Sequence, residues 1–132
     1  MGSWRKLSDA DEIRAVHRRN LGILMIADQA NIDALAVHIQ TFNTARTFVA
    51  SRPISRTGAL REGLERLAAG TRLNGIWGAR DATAGEFLPE RERMFHALQP
   101  QSRFRVIAGA GHWVAYEAAA AFNTTLTELL TT

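Results

Sequence analysis

Apolar positions recur at helical spacing through the first half of the chain and contract into short runs in the second. Ser8-Asp9-Ala10-Asp11 resembles a capping box, with Ser8 placed to accept an orphan backbone N–H and Asp11 in the positive first turn. It predicts a helix from about Asp9 to Ile26. Ile32, Leu35, Ile39 and Phe42 then recur at spacings of three and four, which places one apolar stripe on a helix from about Asn31 to Phe48. Ser51-Arg52-Pro53 interrupts the pattern, since proline biases its predecessor away from helix. Leu60, Leu64 and Leu67 write a third helix, stopped by Gly70.

From Arg72 onward the texture changes. Leu73-Asn74-Gly75-Ile76-Trp77, closed by Gly78, and Phe104-Arg105-Val106-Ile107 read as strands. Between them a helix is expected from about Pro89 to Leu98, with Met94, Phe95 and Leu98 facing inward and Pro100 ending it. A last helix, from about Trp113 to Leu130, carries Phe122, Leu126, Leu129 and Leu130 on one face. A strand, a crossover helix and a second strand of these lengths imply a parallel βαβ unit. The expected class is therefore α/β and mostly helical by residue count, a helical segment followed by a βαβα unit. Two parallel strands leave both edges unpaired, so further structure is expected to flank them.

Composition narrows the function classes. A content of 46% hydrophobic and 22% charged residues is that of an ordinary globular domain. No apolar run approaches the ~20 residues that span a bilayer, and the first residues lack a signal-peptide pattern, so a cytoplasmic protein without membrane contact is expected. There is no cysteine, which excludes disulfides, thiolate metal sites and a cysteine nucleophile. Of the 16 cationic residues all but Lys6 are Arg, and they concentrate in the first 72 residues. They are dispersed and lack interleaved aromatics, so a solvated helical face is expected in place of a nucleic-acid surface. His17, His38, His96 and His112 show no metal-ligand spacing, and neither metal nor cofactor is expected.

Two motifs remain that carry chemistry. Gly75-Ile76-Trp77-Gly78-Ala79-Arg80-Asp81 ends an apolar strand in a turn that presents a carboxylate; Gly109-Ala110-Gly111-His112-Trp113 does the same with an imidazole. Each has a plain structural alternative: Asp81 as a turn or capping aspartate, His112 as a residue satisfying a turn. In combination, on a βαβ background, the order acid then base resembles the second half of the Ser…Asp…His triad of the α/β-hydrolase superfamily. Gly-His-Trp-x-x-aromatic-Glu, here Gly111 to Glu117, followed by Phe122-Asn123, is most similar to the meta-cleavage product hydrolases, which cut carbon–carbon bonds.

The resemblance implies the C-terminal part of an α/β-hydrolase fold: residues 1–70 as helical cap or lid and 71–132 as the βαβα portion of the core. It implies hydrolysis, without cofactor, of an ester or C–C bond in a small carbonyl substrate, with Asp81 orienting His112 and Trp113 lining the substrate pocket. For Trp113 core packing at a helix start is the alternative. Glu117 reads as a helix-start or surface residue, and Arg46, Arg52 and Arg56 fall in the presumed cap. No Gly-x-Ser-x-Gly occurs, and none of the five serines has a nucleophile elbow around it, so the chain is expected to be incomplete and inactive alone. Its partner would be a complementing N-terminal half or a second copy. The competing readings are a non-enzymatic subunit or interaction module, a weak nucleic-acid or anion binder on the Arg-rich helices, and a truncated gene product. A real triad remnant predicts an Asp81 carboxylate oxygen about 2.6–3.2 Å from His112 Nδ1, or somewhat further in an incomplete site, with Trp113 close to where Nε2 points.

Overall fold

The computed structural model describes residues 2–49, 57–67 and 70–131. Helix α1 (Ala10–Leu24) is capped by Asp9, whose carboxylate accepts the N–H groups of Asp11 and Glu12, both at 2.9 Å. The cap is thus Asp9 and not the expected Ser8. An ionised carboxylate one residue later reaches two orphan donors and complements the positive helix end. After a single tight turn at Gln29–Asn31, helix α2 (Ala34–Arg46) starts on Asp33, which accepts the Ala36 N–H at 2.8 Å.

The face that α2 buries differs from the predicted stripe. Leu21, Ile26, Ile32, Ala36 and Val37 form the first core cluster, while Leu35 and Phe42 are 55% and 46% exposed. Small Ala36 lets α1 and α2 approach closely, and the Phe42 ring is covered instead by the Arg46 guanidinium, 3.7 Å from its centroid. The helix stops at Arg46, short of Phe48. Helix α3 (Ala59–Glu65) is shorter than expected: Leu64 is half-buried, Leu60 is exposed, and Leu67 lies beyond its end. The break at Ser51-Arg52-Pro53, and Arg56, lie outside the described residues.

The second half follows the predicted order. Strands β1 (Asn74–Gly78) and β2 (Arg103–Ile107) pair in parallel, Asn74 opposite Arg103 through Gly78 opposite Ile107. Helix α4 (Leu88–Leu98) crosses between them with proline in its first turn. Leu73 falls just before β1, its N–H taken by Gln99 Oε1 at 2.9 Å. Leu73, Phe95 and Phe104 make the second core cluster, with Trp77, Leu88, Met94, Leu98 and Leu64 of α3 packed around it. The expected single C-terminal helix is two, α5 (Val114–Glu117) and α6 (Ala119–Thr131), broken at Ala118; Trp113 precedes α5 as its cap. On α6 Leu129 is buried and Phe122 half-buried, whereas Leu126 and Leu130 are exposed. The result is a mostly helical α/β chain with a small two-stranded parallel sheet. Among the described residues no helix is long and apolar enough to cross a membrane.

Candidate active site

Parallel pairing brings the carboxyl ends of β1 and β2 to the same sheet edge, where open α/β sheets place functional groups. The two following loops continue the ladder: Ala79 N–H donates to Ile107 O at 2.9 Å and Arg80 N–H to Ala110 O at 2.8 Å. Gly78 makes this approach possible, because a Cβ there would lie 2.2 Å from Gly111 O and 2.3 Å from Ala110 O. Gly109, at φ 77°, turns the second loop back towards the first.

Asp81 and His112 meet across these loops. Asp81 Oδ2 lies 2.9 Å from His112 Nδ1. The carboxylate side chain is only 2% exposed, whereas the imidazole is 42% exposed, so one member is locked inside and the other faces outward. The two carboxylate oxygens divide the work. Oδ1 accepts from Thr83 N–H at 2.7 Å, Thr83 O–H at 2.8 Å and Ala84 N–H at 3.2 Å, the turn-capping role sequence offered as the alternative. Oδ2 is thereby left for the ring. Asp81 is both a turn residue and the partner of His112.

Thr83 is the residue that sequence reasoning passed over. Its Oγ1 also lies 3.0 Å from His112 Nδ1, so with its proton given to Asp81 it presents a lone pair to the ring. The signal was present in Asp81-Ala82-Thr83, since an Asp with a hydroxyl residue two positions on is a turn motif. An ionised carboxylate only accepts, and the Thr83 hydrogen is committed, so the hydrogen on this edge of the ring resides on Nδ1. In the neutral ring Nε2 then carries the lone pair. Among the described residues Nε2 forms no hydrogen bond. Burial pushes the Asp81 carboxyl up, but the hydrogen bonds from His112 and Thr83 outweigh it and hold it below the ordinary carboxylate range.

Trp113 does not join Asp81 and His112 in a polar cluster. It is half-buried against the first core cluster, its ring 5.9 Å from that of Tyr116. Glu117 is half-buried, and its carboxylate accepts three backbone N–H groups, from Ala27 (3.0 Å), Asp28 (2.7 Å) and Gly111 (2.7 Å). Burial pushes its carboxyl up, and these donors bring it below the usual range.

A second hydroxyl–imidazole series exists on α4. Ser102 Oγ lies 3.2 Å from His96 Nδ1, and His96 Nε2 is 3.9 Å from Glu92. Ser102 is buried, and the His96–Glu92 pair is a loose, exposed i,i+4 contact, so the series ties the end of α4 to the start of β2. Among the described residues no three His, Asp or Glu side chains converge as a metal site.

The depressed carboxyls of Asp81 and Glu117 fix a pH dependence. A carboxyl whose folded pKa lies below its unfolded value contributes stability above the unfolded value and loses it as pH falls through the folded one. Urea unfolding midpoints are therefore expected to hold from neutral pH to about 5 and to drop at about pH 4 and below. Glu117→Gln should flatten that acid limb; an acid limb identical to that of the unchanged protein would show that Glu117 is not one of its sources.

Comparison with protein-family models, with characterised proteins and with solved structures finds no match to this chain.

Proposed function

We propose that Asp81 and His112 form the orienting and proton-transferring part of a serine-hydrolase-type site in an α/β-hydrolase-like chain. The observation that carries this is the 2.9 Å contact between buried Asp81 Oδ2 and His112 Nδ1, made across two loops that follow parallel strands. The carboxylate holds the Nδ1–H tautomer and stabilises the imidazolium that forms; Nε2 takes a proton from an attacking hydroxyl and returns it to the leaving group. The substrate is a small molecule with an electrophilic carbonyl, an ester or a cleavable C–C bond beside a ketone, and the reaction needs no cofactor. None of the 132 residues is a serine in a Gly-x-Ser-x-Gly elbow, so the nucleophile and the oxyanion donors come from polypeptide outside this sequence. The outer edges of β1 and β2 are where such a segment would add its strands.

Nitrogen-resolved NMR of the histidine rings tests the pair directly. At a pH where the ring is neutral, His112 is expected as the Nδ1–H tautomer, and Asp81→Asn should return it towards the Nε2–H form that an unconstrained ring favours. The chain alone should take up no fluorophosphonate label, Ser102 included. An Nε2–H tautomer in the unchanged protein would remove the general-base role, and stoichiometric labelling of any serine would demand a different nucleophile.

A further inference from the structure

We infer that Glu117 is a positioning residue for His112, tying the imidazole's loop to the helical segment that ends at Met25–Asp28. The inference rests on the proton-transfer role proposed for Asp81 and His112. Glu117 Oε2 accepts from both Gly111 N–H and Ala27 N–H, and Oε1 accepts from Asp28 N–H. One carboxylate thus satisfies donors from two stretches far apart in sequence. On the other side of the histidine, Trp113 N–H donates to Met25 O at 2.8 Å. The peptide N–H groups flanking His112 in the chain are therefore both committed to this junction, one through Glu117 and one directly. Contact is close throughout: a Cβ on Gly111 would lie 2.8 Å from Ala27 N and 2.8 Å from Met25 O.

The imidazole itself is more than a third exposed and is held by Asp81 and Thr83 at Nδ1 alone. Side-chain contacts on one edge set the tautomer, but the loop backbone sets where the ring stands. An error of about 1 Å at a reacting group is enough to cost two orders of magnitude in rate, which is why the support around such a group matters. Helix α5 begins two residues after His112 and ends on Glu117, so the loop, its short helix and the clamp are one continuous device.

A merely structural role would loosen the junction without moving the ring, and a nearby contact supplies the control. The Tyr116 hydroxyl donates to Asp33 at the start of α2 and, among the described residues, makes no hydrogen bond to the His112 loop, which the Tyr116 ring meets only at Trp113. In the full chain, the His112 tautomer ratio is to be measured by ring-nitrogen NMR in Glu117→Gln, Tyr116→Phe and Asp81→Asn. Glu117→Gln should lower the Nδ1–H to Nε2–H ratio roughly tenfold, the weight of about one hydrogen bond. Tyr116→Phe should leave it unchanged. If Asp81→Asn has no effect, the proton-transfer reading itself fails. If Asp81→Asn acts and Glu117→Gln does not, or if Tyr116→Phe acts equally, only the positioning inference is overturned. Should Glu117→Gln fail to fold, native-state hydrogen exchange of the unchanged protein decides. Ala27, Asp28 and Gly111 amides are expected to open as one unit along a sub-denaturing urea series, and independent opening of Gly111 would overturn the inference.

Discussion

Gly78→Ala is expected to destabilise the chain by about 3 kcal/mol or more, lowering the thermal midpoint by on the order of 10 °C, and to separate Asp81 from His112. The added methyl would sit 2.2 Å from Gly111 O and 2.3 Å from Ala110 O. Both are backbone atoms, so no side-chain rotation relieves the overlap and the second loop must retreat as a whole. The Arg80 N–H bond to Ala110 O breaks with that retreat, and the ladder that aligns the two motifs ends at the strands. The same substitution at Gly63, inside α3 with nothing within 4 Å, is the control: it should be neutral or stabilise by about 0.5–1 kcal/mol, as alanine does in a helix. Calorimetry of the two variants gives the comparison. A midpoint for Gly78→Ala within about 2 °C of the unchanged protein would mean that the loops are not held by this contact.

Phe104→Ala should cost about 3–5 kcal/mol. Its ring, 6% exposed, stacks on Trp77 at 4.8 Å and meets Phe95 edge-on at 5.4 Å, while Trp77 and Phe95 contact each other at 5.5 Å. Three aromatic side chains from β1, α4 and β2 thus close a triangle, and removal of one opens a cavity that the other two fill only in part. Chains of this size have total stabilities of about 5–15 kcal/mol, so the variant is expected to lie near its unfolding threshold. Denaturant unfolding followed by tryptophan fluorescence measures it. A loss below about 1 kcal/mol would show that the second core can collapse around the gap.

The meeting of Asp81 with His112 was legible because it follows from topology. Once Leu73–Trp77 and Phe104–Ile107 are parallel neighbours, whatever follows each strand arrives at one sheet edge, and the residue types there suggest the contact. Period alone likewise located α1, α2 and α4 to within a few residues. What period could not supply was the partner of each face. Leu35 and Phe42 fit a helical stripe as well as Ala36 and Val37 do, and only the approach of α1 selects the smaller pair. The C-terminal helix looked continuous because Ala118 is a good helix former. Its break lies just after Glu117, whose side chain is committed to the backbone of another segment. Thr83 had a local signature and could have been found; the donors to Glu117 are mainly backbone N–H groups, which leave no trace in residue identity.

The clamp at Glu117 also bears on the order in which the molecule assembles. Strands β1 and β2 are joined by a short crossover, whereas Ala27 and Glu117 stand 90 residues apart. Closing the longer loop costs about 1 kcal/mol more in chain entropy than closing the shorter one, and it requires α1, α2 and the βαβ unit to exist as surfaces beforehand. By loop length alone the junction is expected to form after the strand pair, and native-state hydrogen exchange in which the Ala27 and Gly111 amides outlast those of β1 and β2 would show the reverse order. Asp81 is capped within its own turn, whereas the backbone on either side of His112 is bonded to the junction. Opening of the junction would therefore free the loop that carries His112 while the strands, the aromatic triangle and the Asp81 turn remained intact.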